Sequence, residues 1–357
     1  MIHRVFIIAE AGVNHNGQLD MALSLVDKAI EAGADAIKFQ TFSTEELVTK
    51  EAEKADYQKT NRDREESQFE MLKKLELSTL EQKKIFDHCC SRGIQFLSTP
   101  FDNKSLRFLS VELGLDTLKI PSGELLNGPF LLDFARTNKN LILSTGMASL
   151  SDIEIALSVI AFGLLGRKNP STRAFKESFE SREGKELLNK KISLLHCTSE
   201  YPAPKEHINL KSMLTIKEKF SLRTGYSDHS EGNVVAISAA ALGAEIIEKH
   251  FTLDRTLEGP DHKASLDPNE LKEMVFSIRD VEKALGDGVK KPTKTELINR
   301  LTSYKSIIAS KDIALGEEFT HENLSFKRPG TGISPMEYWS LLGKKSKKNY
   351  KAEDLIK

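Results

Sequence analysis

Apolar positions along the chain fall into two alternating registers. Short runs rich in Ile, Leu, Val and Phe recur at residues 5–9, 36–40, 95–98, 117–120, 141–144, 192–196, 223–227 and 244–250. Most are separated by stretches whose apolar residues stand three and four apart, as at 21–32, 80–92 and 151–162. The short β-prone runs predict buried strands and the 3.6-residue period predicts amphipathic helices, so their alternation predicts βαβ units around a parallel sheet. Eight such runs match a closed α/β architecture, a (β/α)8 TIM barrel over residues 1–285, better than an open doubly wound sheet.

Two segments break the pattern. Residues 166–191 are polar and charged, and read as a surface insertion between the fifth helix and the sixth strand. Residues 286–300 replace the apolar period with Gly, Pro and Lys and read as a linker. The remainder, 301–357, carries short β runs at 306–310 and 324–327 and predicts a small second domain, marginal by itself at that size.

Charge and cysteine usage narrow the class. Lys plus Arg number 51 against 52 Asp plus Glu, a net charge of −1, so no basic excess draws in nucleic acid or anionic lipid, and neither is an expected partner. No run approaches the roughly 20 uninterrupted apolar residues of a membrane span, and the first run stops at Glu10, short of a signal-peptide core. Cys89, Cys90 and Cys197 are an odd set with an adjacent pair, which is no disulfide framework and suits a reducing cytoplasm.

In such a barrel the chemistry sits at the C-terminal strand ends. Nearly every predicted strand ends in polar residues: Glu10 followed by Asn14-His15-Asn16, Lys38 with Gln40, Thr99, Lys119 with Ser122 and Glu124, Ser144, His196 with Tyr201, Ser227-Asp228-His229, and Glu248-Lys249-His250. Taken singly, a Ser or Thr there is a helix cap. Ionisable groups recurring at the ends of apolar runs are harder to explain that way, because each carries a desolvation cost of several kcal/mol.

Lys38 and Lys119 both follow apolar runs that aim them into the barrel mouth. Two inward ammonium groups beside the hydroxyls of Thr99, Ser122 and Ser144 suit a phosphate or carboxylate. Pairing of the lysines with Glu10 or Glu124 is the plain alternative, and a Schiff-base lysine is another. His229 and His250 stand one helix and one strand apart, a spacing that puts two imidazoles on neighbouring strand ends as candidate ligands for a divalent metal. Asp228 and Glu248 are then candidates to orient them or to hold metal-bound water. The abundance of oxygen donors favours Mn²⁺ or Mg²⁺, while Cys197 keeps a softer ion open.

The strings IAEAGVNHNG, AIKFQTF, FLSTPFD, LKIPSGEL, ILSTGMAS, LLHCTSEYPAP, GYSDHSEG, IEKHFTLDR, GPDHKASLDP and KRPGTGISPM together resemble the bacterial sialic acid (N-acetylneuraminate) synthases and their relatives, legionaminate synthases included. The resemblance spans almost the whole chain outside 166–191. It implies that phosphoenolpyruvate condenses with N-acetylmannosamine and water, giving N-acetylneuraminate and phosphate by C–O cleavage in a metal-dependent reaction. Legionaminate synthesis from 2,4-diacetamido-2,4,6-trideoxymannose is the alternative, and a Schiff-base aldolase on the same barrel a more distant one.

Residue by residue, the resemblance implies that Lys38, Thr99, Lys119, Ser122, Ser144, Ser199 and Ser227 hold phosphoenolpyruvate. It puts Gln40, Tyr201, Asp261 and Arg328 on the sugar, and His229 and His250 on the metal, with Glu248 near its waters. Glu10 and Glu124 are candidate bases for the attacking water. Ser199 stands where a relative has Asn, and Thr302 where it has an aromatic residue. The C-terminal unit resembles the antifreeze-like (SAF-type) domain of these synthases, which implies a domain-swapped homodimer; a purely ice-binding role is at odds with the Lys-rich KKSKK segment.

Overall fold

The computed structural model describes residues 4–52, 54 and 67–357. The chain divides into two compact units, residues 1–287 and 288–357.

In the first unit, eight parallel strands alternate with helices: β1 Phe6–Gly12, β2 Ala36–Thr41, β3 Gln95–Pro100, β4 Thr117–Ile120, β5 Asn140–Ser144, β6 Ile192–Cys197, β7 Arg223–Asp228 and β8 Ile246–His250. Their order in the sheet is β3-β2-β1-β8-β7-β6-β5-β4, and the end strands β3 and β4 pack against each other, so the sheet curls into a nearly closed barrel. Helices start where the local chemistry lets them. Thr79–Arg92, for example, opens on a capping box formed by Ser78 and Glu81 and stops at Gly93, whose φ of 76° is left-handed.

Strand alternation sorts the side chains into two cores. Ile8, Ala36, Leu97, Ile142, Leu195 and Ile246 point inward and form a dry layer across the barrel. Ile7, Ala9, Ile37, Phe39, Leu118, Leu141, Leu143, Leu194 and Ile247 point outward into the larger core beneath the helices. Gly225 of β7 marks how tight the inner layer is, since a Cβ there would meet Ile246 Cβ and Leu195 Cδ2, each at 2.8 Å. With the middle of the barrel filled, the inward residues one step further along each strand are left facing the open C-terminal mouth.

Residues 166–191 fold into two helices, Thr172–Glu180 and Arg182–Lys191, each capped by a serine, and Phe175 packs edge-on against Phe162. In the second unit, β9 (Ser306–Ala309) pairs antiparallel with β10 (Leu324–Lys327) over a small core that includes Ile307, Ile313, Phe319, Tyr350 and Ile356. Part of the segment read as linker is a helix, Lys294–Ser303, begun by a capping box of Thr293 and Glu296. Among the described residues no helix is long and apolar enough to cross a membrane.

Candidate active site

Four charged side chains meet at the mouth, each only 2–4% exposed: Glu10, Lys38, Lys119 and Glu248. Parallel register sets Lys38, Glu10 and His250 side by side on β2, β1 and β8, and sets Ser227 beside Glu248 on β7 and β8. Lys38 Nζ lies 2.8 Å from Glu10 Oε2 and 3.5 Å from Glu248 Oε2, and donates to Thr99 Oγ1 at 3.1 Å. Lys119 is less neutralised: it donates to Ser144 Oγ at 2.6 Å and to the Ile120 carbonyl at 3.3 Å, with Glu248 Oε1 at 3.6 Å. Glu248 Oε1 accepts from Ser227 Oγ at 2.8 Å.

The electrostatics follow from this packing. Burial raises the Glu10 carboxyl to about 8 even though Lys38 pulls the other way. Burial would also raise Glu248, but Lys119 and Lys38 outweigh it and hold this carboxyl at about 2. Burial lowers Lys38, yet Glu10 and Glu248 more than restore it, whereas for Lys119 burial prevails and its affinity for the proton falls. The cluster thus holds Glu248 firmly ionised between two buried lysines, of which Lys38 is paired with Glu10 at 2.8 Å while Lys119 stands 3.6 Å from Glu248. A buried ammonium group with so distant a counter-charge is unfavourable unless a further anion answers it.

The wall near Lys119 is polar and closely packed. Ser122 Oγ accepts from the Gly146 amide at 2.9 Å and lies 3.2 Å from Cys197 Sγ. A Cβ on Gly146 would collide with Ser199 Oγ and come within 2.9 Å of Ser122 Oγ and 3.0 Å of Cys197 Sγ. Glycine thus lets three small polar side chains, Ser122, Cys197 and Ser199, close in on the backbone, a contribution that motif reading missed.

On the opposite side, His229 Nδ1 donates to the Thr198 carbonyl at 2.6 Å, which leaves Nε2 as the lone-pair nitrogen, 3.2 Å from Tyr201 Oη and 3.4 Å from Ser227 Oγ. The His229 and His250 ring centres are 5.7 Å apart. His250 Nδ1 is buried without a hydrogen-bond partner, and Asp261 Oδ2 stands 3.9 Å away. Burial lowers both imidazoles, His229 to about 4 and His250 well below the usual range, so both are neutral; it raises Asp261 to about 6. Gly12, with φ of 53°, keeps the space between Glu10, His250 and Asp261 clear, for its Cβ would sit 3.3–3.6 Å from all three.

Two neutral, lone-pair-bearing imidazoles with an unpartnered ring nitrogen fit a divalent ion. Among the described residues no cluster of three or more His, Cys, Asp or Glu could hold one, so two protein ligands would be completed by water or substrate oxygens.

Several expected residues lie elsewhere. Asp228 and His196 point out of the barrel, because each is one residue out of phase with the inward Ser227 and Cys197. Asp228 pairs with Lys249, and His196 Nε2 donates to the Ile208 carbonyl at 2.7 Å. Glu124 sits in a half-buried 3-10 turn and accepts from Asn127 Nδ2 at 2.7 Å. Gln40, by contrast, is half-buried on β2 in phase with the inward Lys38 and opposite Thr99, so it stays with the mouth. Arg328 is in the second unit, exposed, with Nε donating to the Ser303 carbonyl at 2.9 Å, and Thr302 donates to the Asn299 carbonyl.

The sequence profile of the NeuB family matches residues 25–290, and that of the SAF domain matches residues 304–357. The chain is 48% identical to the N,N'-diacetyllegionaminic acid synthase of Campylobacter jejuni, with 99% of both chains covered. The chain belongs to the NeuB family. Another relative, the N,N'-diacetyllegionaminic acid synthase of Legionella pneumophila, is 45% identical over 97% of this chain and 92% of its own. Among solved structures, the N-acetylneuraminic acid synthetase of Leptospira borgpetersenii, crystallised with citrate, superposes with a TM-score of 0.68 at 36% identity, covering 84% of this chain and 90% of that one. The NeuB-family chain is thus an enzyme of the synthase type, a barrel followed by a SAF domain.

Proposed function

We propose that this NeuB-family enzyme condenses phosphoenolpyruvate with the open-chain form of an N-acylated amino sugar, giving a 2-keto sugar acid and phosphate. The observation that carries the reading is buried Lys119, which donates to Ser144 at 2.6 Å with Glu248 only at 3.6 Å, near the polar wall of Ser122, Cys197 and Ser199 that packs on Gly146. Lys119, Lys38, Thr99, Ser122, Ser144, Ser199 and Ser227 hold the phosphate and carboxylate of phosphoenolpyruvate by charge-assisted hydrogen bonds. C3 attacks the aldehyde carbon, water adds at C2, and phosphate leaves with the C2 oxygen, so the bond broken is C–O.

Glu10 takes the proton of that water. It faces inward beside Lys38, which favours its ionised form, whereas Glu124 faces Asn127 on the rim. His229 and His250 hold a divalent ion, Mn²⁺ or Mg²⁺, which when bound supplies Lewis-acid polarisation of the aldehyde. Glu248, fixed by Ser227 and Lys119, stays ionised beside them. Gln40, Tyr201 and Asp261 line the sugar side. We also propose that the enzyme works in the cytoplasm as a homodimer, with Arg328 of one copy reaching the N-acyl group in the other copy's mouth.

For the acceptor we favour 2,4-diacetamido-2,4,6-trideoxymannose, supported by the 48% and 45% identical relatives; N-acetylmannosamine is the second reading, supported by the 36% identical N-acetylneuraminic acid synthetase. Phosphate release should be fastest with the diacetamido sugar. Higher kcat/KM with N-acetylmannosamine would move the assignment to the second reading, and no release with either would overturn it. The dimer has its own test: two inactive variants, Arg328→Ala and Lys119→Ala, co-refolded together, should regain about one quarter of full activity by random pairing of two-fold partners.

A further inference from the structure

β7 and β8 use one stretch of register twice. Ser227 stands opposite Glu248 and Asp228 opposite Lys249. The first pair faces the mouth, where the Ser227 hydroxyl binds Glu248 at 2.8 Å. The second pair faces outward, beneath the helix Val234–Ala241 that packs on both strands. There the Lys249 ammonium, 0% exposed, lies 3.0 Å from Asp228 Oδ2 and donates to the Ser230 carbonyl, while Asp228 Oδ1 accepts from the Ser230 amide at 2.9 Å and its hydroxyl at 2.7 Å.

Every polar atom named in this network closes on residues 228 and 230, and between them stands His229. Its own backbone carbonyl accepts from the Ala203 amide at 2.9 Å, and its ring is turned so that Nδ1 donates to Thr198. Lys249 in turn adjoins His250. A fully buried lysine–aspartate pair is weak support for stability, because well-packed apolar residues commonly do as well or better. What such a pair supplies, and apolar packing does not, is a fixed direction for the chain that carries it.

We propose that the Lys249–Asp228 pair is a positioning device: from the outer face of the barrel it clamps residues 228–230 to β8 and so aims His229 Nε2 into the mouth. The pair touches neither substrate nor reacting atoms. Its role goes beyond the assignment of substrates and would hold for any ligand that His229 serves.

The tautomer of His229 reports this directly. In uniformly ¹⁵N-labelled, metal-free enzyme, long-range ¹H–¹⁵N correlation should show His229, assigned by its loss in His229→Gln, as the pure Nδ1–H form. His196 should show the Nε2–H form demanded by its bond to Ile208, and serves as an internal control. Two variants are compared well below their melting temperatures. Lys249→Met combined with Asp228→Asn removes both charges and leaves no lone buried ion; Asp228→Asn alone keeps an acceptor for Ser230 but weakens the clamp. The expected result is a His229 that becomes a mixture of tautomers in the double variant, less so in the single one, with His196 unchanged. A folded double variant whose His229 remains purely Nδ1–H, even with a lowered melting temperature, would overturn the proposal and leave the pair a structural role alone.

Discussion

The two ends of the barrel are made by the same eight strands and differ in almost everything else. At the N-terminal floor, Phe6, Thr117, Asn140, Ile142, Ser193 and Ile246 surround a depression of about 270 Å³, and the cations nearby, Lys190, Lys191 and Arg223, are on its edge. Arg223 reaches Glu245 at 3.6 Å and Lys191 donates to the Asn138 carbonyl at 2.7 Å. At the C-terminal mouth, by contrast, two lysines, two glutamates, two histidines and an aspartate are buried. The floor keeps its charges in water, where they cost little. The mouth buries them against each other, and a cluster of buried, strongly shifted ionisable groups at the strand ends is the arrangement expected of a functional site.

If that contrast is functional, damage at the mouth should be severe in activity and mild in fold, and damage at the floor should be neither. The largest effect belongs to the histidines: His250→Ala, or excess chelator on the unaltered enzyme, should abolish phosphate release while circular dichroism stays unchanged. Full activity in chelator would end the metal reading. Glu10→Gln should lower kcat by roughly 10²- to 10⁴-fold, the usual contribution of general acid–base catalysis, with little change in the phosphoenolpyruvate KM. If Glu124→Gln gave that loss instead, the base would have to be reassigned. Gly146→Ala should push Ser199, Ser122 and Cys197 from their places and raise the phosphoenolpyruvate KM about tenfold, equal to about 1.4 kcal/mol of binding. The smallest effect is expected at the floor, where Asn140→Ala, an exposed position, should leave kcat/KM unchanged and stability within about 0.5 kcal/mol.

Much of this contrast could be read before the fold was known. The apolar runs place seven of the strands to within two residues and β1, which extends to Gly12, to within three, since buried parallel strands read as continuous hydrophobic stretches. Lys38 and Lys119 stand out because a lysine at the end of such a run needs a partner: for Lys38 the plain alternative holds, with Glu10 at 2.8 Å, whereas Lys119 meets Glu248 only at 3.6 Å. What the runs conceal is parity. In a strand buried on both faces, apolar side chains give no sign of which face is inward, so Asp228 and His196 look as available as Ser227 and Cys197. The inward phase has to be taken from a neighbour of known direction, such as Ser227 opposite Glu248.

The close packing on Gly146 was hidden for a different reason. Gly146 contributes an absence of atoms, which no side-chain chemistry announces. The helix Lys294–Ser303 was legible in principle, because Thr293 and Glu296 have the spacing of a capping box; the preceding Lys-Lys-Pro and the lack of any buried face masked it.

The central claim is that the mouth, and not the floor, holds the anionic substrate through Lys119. Phosphoenolpyruvate binding by titration calorimetry to three proteins tests it most directly: the unaltered enzyme, Lys119→Met and the floor variant Arg223→Gln. The account predicts equal affinity for the unaltered and floor proteins. For Lys119→Met it predicts a loss of about 2 to 5 kcal/mol, roughly 30- to 4000-fold, because one charged partner of a buried anion is gone. Undiminished binding by folded Lys119→Met, with binding lost in Arg223→Gln, would contradict it.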